Sequence, residues 1–278
     1  MKHAHHFAAL AALTALLGGC ASLGDTPYAE SSVCGWIKEP FVFTMWSRLA
    51  GKPEPQRAES LANAAEVVHV TRDGRQLHGY RLTSTRADGA TVGRLLVAQG
   101  NAMLSDRLLA SLATFSAAGL EVYIFDFRGY GRSEGRRRLK AIVGDYRELA
   151  ERFASREDGK RFLYGISFGG IVMANVIGDG TEFDRLVIDS TPSRISTSGC
   201  PVAVDPVENL PDDASRILIV AGGQDRIVTV QDAQELVNGA LRRGGRAEVR
   251  SEFAHPFMDR DITVHRNRLE MIRAFLTE

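Results

Sequence analysis

Cysteine is scarce in this 278-residue chain: there are three, too few for a disulfide scaffold and odd in number. An excess of charge of either sign is also missing. With 34 Lys and Arg against 34 Asp and Glu, nothing electrostatic points to nucleic acid or another polyanion as partner. The apolar run at Phe7–Leu17 is eleven residues long, well short of the ~20 that a transmembrane helix needs. Metal-ligand spacings and phosphate-cradling glycine loops are absent, so neither metal nor cofactor is expected. No internal repeat or low-complexity tract interrupts the chain. What is present is average: 44% hydrophobic and 24% charged residues exclude general disorder and fibrous repeats. The length allows one large domain or two small ones with a substantial core.

The N-terminus departs from that average. Lys2, His3, His5 and His6 precede the Phe7–Leu17 run, which has the length of a signal-peptide core, and Leu17-Gly18-Gly19-Cys20 follows at once. This stretch resembles the lipobox of bacterial lipoproteins. The resemblance implies a signal peptide over residues 1–19, a lipid-modified Cys20 holding the protein to a membrane, and a place in the cell envelope. Ala21 and Ser22 after the cysteine favour the outer membrane, facing the periplasm. Residues 20–64 read as a tether with one apolar patch: Trp36, Ile37, Phe41, Val42, Phe43, Met45, Trp46 and Leu49. The patch is either a membrane-surface or substrate-entrance element or a segment packed on the domain. So many exposed aromatics would be unusual, which favours packing.

From about residue 65 to 278, strand and helix patterns alternate. Two β-rich runs, Val67–Val70 and Leu77–Leu82, flank Asp73-Gly74, a hairpin signal. Six further apolar runs follow, at Leu95–Ala98, Val122–Phe125, Phe162–Tyr164, Leu186–Ile188, Ile217–Val220 and Ala247–Val249. Most are continuously apolar, as strands buried on both faces of a parallel sheet are. Helical patterns separate them. Ser105 is placed to cap one, Tyr146, Leu149, Ala150 and Phe153 mark a second, and Thr229 with Asp232 forms a capping pair for a third. The last helix carries Ile262, Leu269, Ile272 and Leu276 on one stripe. The expectation is an α/β fold: an eight-stranded, mostly parallel sheet with helices on both faces. Residues 190–215 hold four of the nine prolines and no clear period, and read as a small irregular cap.

Open α/β sheets bind ligands at the carboxyl ends of their strands. At one such end, Gly165-Ile166-Ser167-Phe168-Gly169 matches Gly-x-Ser-x-Gly between an apolar strand and an apolar helix, the setting of a nucleophilic serine. Gly131-Arg132-Ser133-Glu134-Gly135 matches too, but no strand abuts it. The base that Ser167 needs is His255, in a loop after the last strand, since His69 and His78 lie in the first hairpin and His265 within a helix. The acid is Asp225, in the glycine-bearing turn after the Ile217 strand, with Asp189 as its competitor.

Ser167, Asp225 and His255 stand in the chain order of the α/β-hydrolase superfamily, which the region 65–278 resembles. Asp126-Phe127-Arg128-Gly129-Tyr130-Gly131-Arg132-Ser133 is similar to that family's structural loop after its fourth strand. The branch it resembles most is small-capped and contains serine-aminopeptidase-like and monoglyceride-lipase-like enzymes. The resemblance implies an oxyanion hole built from the Phe168 and Asn101 backbone N–H groups, with Gln99 where the family usually has histidine. It implies a serine hydrolase that cleaves carboxylic esters or lipid-derived acyl groups, without a cofactor. A serine peptidase, a thioesterase and a non-catalytic envelope lipoprotein that retains the fold stay open. In an oxidising compartment Cys34 and Cys200 could pair, pinning the N-terminal segment to the cap. Arg136, Arg137, Arg138 and Lys140 read as a solvated loop or as a contact for an anionic headgroup.

Overall fold

The computed structural model describes residues 31–154 and 159–278. The leader 1–19 and Cys20 lie outside the described residues. Eight strands form one sheet: β1 (Ala64–Val70), β2 (Gln76–Leu82), β3 (Gly93–Ala98), β4 (Leu120–Phe125), β5 (Lys160–Ile166), β6 (Arg185–Asp189), β7 (Ile217–Gly222) and β8 (Arg246–Arg250). Their order is β1-β2-β4-β3-β5-β6-β7-β8, with β1 and β2 antiparallel and everything from β4 to β8 parallel. Asp73-Gly74 makes the β1–β2 turn, where Gly74 takes φ +78° and its N–H donates to Thr71 O.

Because side chains alternate along a strand, the sheet feeds two cores. Leu96, Leu163, Ile217 and Ile219 point to one side. There they pack with α1 (Lys38–Ala50), α4 (Leu139–Ala154), α5 (Phe168–Gly178) and α6 (Val230–Arg242). Leu95, Val97, Phe162, Tyr164, Leu218 and Val220 point to the other. Their partners are α2 (Gln56–Glu59), α3 (Leu109–Ala117) and α7 (Ile262–Thr277). Each fully buried Leu, Val or Phe contributes about 1.5–3 kcal/mol, so the two layers are what hold the sheet. The β8 edge turns Arg246, Glu248 and Arg250 outward, charges that discourage edge-to-edge pairing.

Several local expectations are corrected. Ser105 does not cap α3: residues 105–108 form a 3-10 turn, and the buried Ser105 donates its Oγ–H to Asp126 Oδ1 at 2.8 Å. A capping side chain and a buried carboxylate partner look alike in sequence. Ile262 is exposed, so the inward stripe of α7 begins at the half-buried Val264 and is fully buried from Arg268 and Leu269. Thr229 and Asp232 do form a reciprocal capping box on α6. Residues 190–215 carry only two 3-10 turns, at Ser196–Ser198 and Val202–Val204.

The segment before β1 is helical and lies on the domain. Phe43 and Ala50 are buried in the first core, and Glu39 turns inward, where its carboxylate accepts from the N–H groups of Val33, Cys34 and Leu139. Cys34 and Cys200 are joined in a disulfide with Cα atoms 4.2 Å apart, tying α1 to the cap. Packing is half of the account, however. Trp36, Ile37, Phe41, Met45 and Leu49 remain exposed.

The loop after β4 is structural, as its resemblance implies. Arg128 is buried between Asp145 and Asp73, to which it donates from Nε at 2.8 Å and from Nη1 at 2.6 Å respectively. Ser133 accepts from His78 N–H and donates to Asp126 O, which removes the second Gly-x-Ser-x-Gly from candidacy. Burial pushes the Asp126 carboxyl up to about 6, against two hydrogen bonds from Ser105. A carboxyl raised in the folded state loses stability as pH rises from the unfolded value near ~4 to the folded one. Asp126→Asn should therefore gain on the wild type between pH 4 and 7, by up to about 3 kcal/mol, read from urea unfolding at the two pH values.

Candidate active site

The carboxyl edge of the sheet carries Ser167, Asp225 and His255, each after the end of a parallel strand. Ser167 sits between β5 and α5 at φ 54°, ψ −114°, a conformation costly for a residue with a Cβ and held here by its neighbours. Its N–H donates to Asp189 O at 2.8 Å, and its carbonyl accepts from Thr191 Oγ1 at 3.0 Å. The flanking glycines are dictated by space. A Cβ on Gly169 would fall 1.9 Å from Ala98 O, and one on Gly165 would fall 2.6 Å from Gly170 Cα. Gly169→Ala should destabilise the fold by about 3 kcal/mol or more, seen as a lowered urea midpoint.

Asp225, in the turn after β7, is fully determined by its contacts. Its Oδ1 accepts from the Ile227 and Val228 N–H groups at 2.8 and 2.9 Å, and its Oδ2 accepts from His255 Nδ1 at 2.8 Å. Burial raises its carboxyl, but the His255 hydrogen bond and the two backbone donors outweigh it and leave the group below the ordinary carboxylate range. The stability from this pairing is present above the unfolded carboxylate value and is lost as pH falls through the depressed folded one. The competitor, Asp189, is buried at the end of β6 and accepts from Tyr164 Oη at 3.1 Å. Burial pushes its carboxyl up; Arg268, the Tyr164 and Ser190 hydroxyls and His255 all oppose that push. His255 is therefore hydrogen-bonded to Asp225 and only electrostatically felt at Asp189.

Among the described residues, Ser167 Oγ and His255 Nε2 have no hydrogen-bond partner, with each other or with a third group. The Phe168 and Asn101 amides likewise find no acceptor, so two N–H donors stand free where β5 and β3 end. Gly100 brings that second strand end close, since a Cβ there would be 3.7 Å from Ser167 Cβ. Two other histidines are occupied elsewhere: His69 Nε2 lies 2.9 Å from Glu148, and His265 Nε2 lies 3.0 Å from Ser111 Oγ. A cavity of about 750 Å³ opens beside Asp225 and His255, lined also by Ile227, Met258 and Arg260.

The seating of His255 involves residues with no signal in the sequence. Asp259 accepts from Ala254 N–H at 2.9 Å, and Arg268 Nη2 donates to Ala254 O at 2.6 Å. The two side chains are buried 3.5 Å apart, with the Arg268 guanidinium 4.3 Å from the Phe253 ring centre. They grip the residue before the imidazole from both sides, although four and thirteen residues of chain separate them from His255.

Known proteins share this fold. The chain superposes on the Pyrococcus furiosus esterase Pf2001 with a TM-score of 0.63 at 16% identity, over 82% of this chain and 96% of that one. It also superposes on XC6422 of Xanthomonas campestris, described as an a/b serine hydrolase without lid (TM-score 0.59, 20% identity, 76% and 94% covered). A family model described as "Serine aminopeptidase, S33" matches residues 89–207. The chain has the α/β-hydrolase fold. A monoacylglycerol lipase of Mycolicibacterium smegmatis is 33% identical to this chain over 140 residues, 44% of the chain and 50% of the relative. An uncharacterized protein of Mycobacterium tuberculosis is 28% identical over 262 residues, covering 86% and 89%. The family match includes Ser167 but ends before β7, so Asp225 and His255 rest on their own geometry.

Proposed function

We propose that this hydrolase cleaves carboxylic esters or lipid-derived acyl groups with Ser167 as nucleophile, His255 as base and Asp225 as the group that orients it. The observation that carries the reading is the 2.8 Å contact from His255 Nδ1 to a carboxylate already fixed by two backbone donors, at the sheet edge where Ser167 is held in its strained turn. With Nδ1–H committed to Asp225, Nε2 is left with its lone pair free to accept a proton. In the first step Ser167 Oγ bonds to the acyl carbon and its proton passes to His255 Nε2. The carbonyl electrons move onto oxygen, where the Phe168 and Asn101 N–H groups donate to it. The tetrahedral intermediate collapses, the C–O bond to the alcohol breaks, and His255 returns the proton to the departing oxygen. Water then enters with His255 as base, bonds to the acyl carbon and frees Ser167 and the acid.

The Leu17-Gly18-Gly19-Cys20 stretch supports a second element of the proposal, export as an envelope lipoprotein held by Cys20. A peptidase reading draws on the description of the matching family model. A fluorophosphonate probe followed by an ester chain-length panel and aminoacyl amides tests these readings. Labelling of the folded protein with turnover of esters is the expected result. Turnover of amides alone would replace the esterase by a peptidase, and no labelling would leave a non-catalytic scaffold.

A further inference from the structure

Helix α1 is apolar on two opposite sides. At 100° per residue, Phe43, Trp46 and Ala50 fall together on the inner side with Glu39. Ile37, Phe41, Met45 and Leu49, spaced four apart, form a stripe on the other. The inner side is covered: the Phe43 and Trp46 rings lie 5.3 and 6.1 Å from Phe168, the residue after Ser167. The outer stripe is bare, with Ile37, Phe41 and Leu49 65%, 69% and 65% exposed and Trp36, just before the helix, 80% exposed. Solvent-facing helix surfaces are ordinarily polar, and a contiguous apolar stripe marks something that covers it.

Three features select the occupant. The first is charge: the one acid of α1, Glu39, is turned inward, whereas Lys38, Arg48 and Lys52 are exposed on or beside the stripe. Arg48 and Lys52 make no ion pair among the described residues. An apolar stripe on a helix whose exposed charges, Lys38 and Arg48, are both cations suits an anionic lipid surface. The second is the aromatic at its start, since tryptophan concentrates at the membrane–water boundary. The third is position. Trp36 lies 36 − 20 = 16 residues after Cys20, a span of at most about 55 Å. No described helix is long and apolar enough to cross a membrane, and α1, 13 residues and about 20 Å long, is suited to lie along one. We infer that α1 is a membrane-docking helix that beds Trp36, Ile37, Phe41, Met45 and Leu49 into an anionic bilayer. The Cys34–Cys200 bond fixes this helix to the cap, where Val202 is also exposed. One helix thickness, about 10 Å, then separates the bilayer from the Phe168 side of the site.

The chain's two tryptophans both lie in this segment, so Trp46→Phe leaves Trp36 as the sole indole emitter. Full-length protein carrying that change is reconstituted in phosphatidylcholine–phosphatidylglycerol vesicles. Trp36 emission should shift to shorter wavelength, be quenched by brominated lipid and lose its sensitivity to iodide. Phe41→Glu with Met45→Glu should reverse all three while fluorophosphonate labelling persists. The docking reads out independently of the acyl chemistry and of the anchor. Fatty-acid labelling reports on Cys20, and docking stands if Cys20 proves unmodified while Trp36 is still quenched by lipid. Two results overturn it: Trp36 open to iodide on vesicles, or Trp36 already shielded without lipid in a particle of twice the mass, which would make the stripe a contact between two copies.

Discussion

Ser167→Ala should lower kcat for the best ester at least about 10⁴-fold and abolish fluorophosphonate labelling, with far-UV circular dichroism and the urea midpoint little changed. The size follows from the role proposed for the hydroxyl. It forms the bond to the acyl carbon, and the hydroxyl that touches its residue, Thr191 Oγ1, is committed to Ser167 O. What survives is the rate supplied by binding and by the two amides. Because Ser167 Oγ makes no hydrogen bond among the described residues, its loss leaves no buried partner unsatisfied. A large loss of stability in this variant would mean that the serine has a structural task instead, and the nucleophile would have to be sought elsewhere.

Asp225→Asn should reduce kcat by about 10⁴-fold at neutral pH while barely altering substrate binding. An asparagine side chain can still accept from the Ile227 and Val228 N–H groups through its oxygen. Its amide then faces His255 Nδ1 as a donor, which drives the imidazole into the tautomer with Nε2–H and removes the lone pair that receives the serine proton. Steady-state kinetics should therefore separate kcat, which falls, from KM, which stays. Asp189→Asn is the informative control. Its carboxyl is buried against Tyr164 rather than His255, so any fall in activity should follow the loss of folded protein. If the two variants exchanged behaviour, the acid would be Asp189.

Much of this architecture could be read in the residues. Continuous apolar runs gave away the parallel strands, because burial on both sheet faces suppresses alternation. Gly165 and Gly169 were legible because no other residue fits against Ala98 O and Gly170. What stayed hidden were contacts between distant segments. The grip of Asp259 and Arg268 on Ala254 leaves no local pattern, because an ion pair that holds one backbone unit needs only two charges somewhere along the chain. The Ser105 error has the same origin, with Asp126 twenty-one residues away. In α1 the reading failed differently. Aromatics were expected to be inside, and half of them are, but a helix with two apolar sides can bury only one of them on its own domain.

The Cys34–Cys200 bond turns the unfolded chain into a lasso. Residues 34–200 make the loop, and the C-terminal 278 − 200 = 78 residues hang from it as a tail. Closing a loop of 166 residues removes about 5 kcal/mol of entropic stabilisation from the unfolded chain. The noose holds β1 to β6 and Ser167, while β7, β8, Asp225 and His255 all ride on the tail. Refolding with the bond intact is thus the docking of the C-terminal tail onto the edge of a tethered ring, and the proposed nucleophile meets its acid and base only when that tail docks.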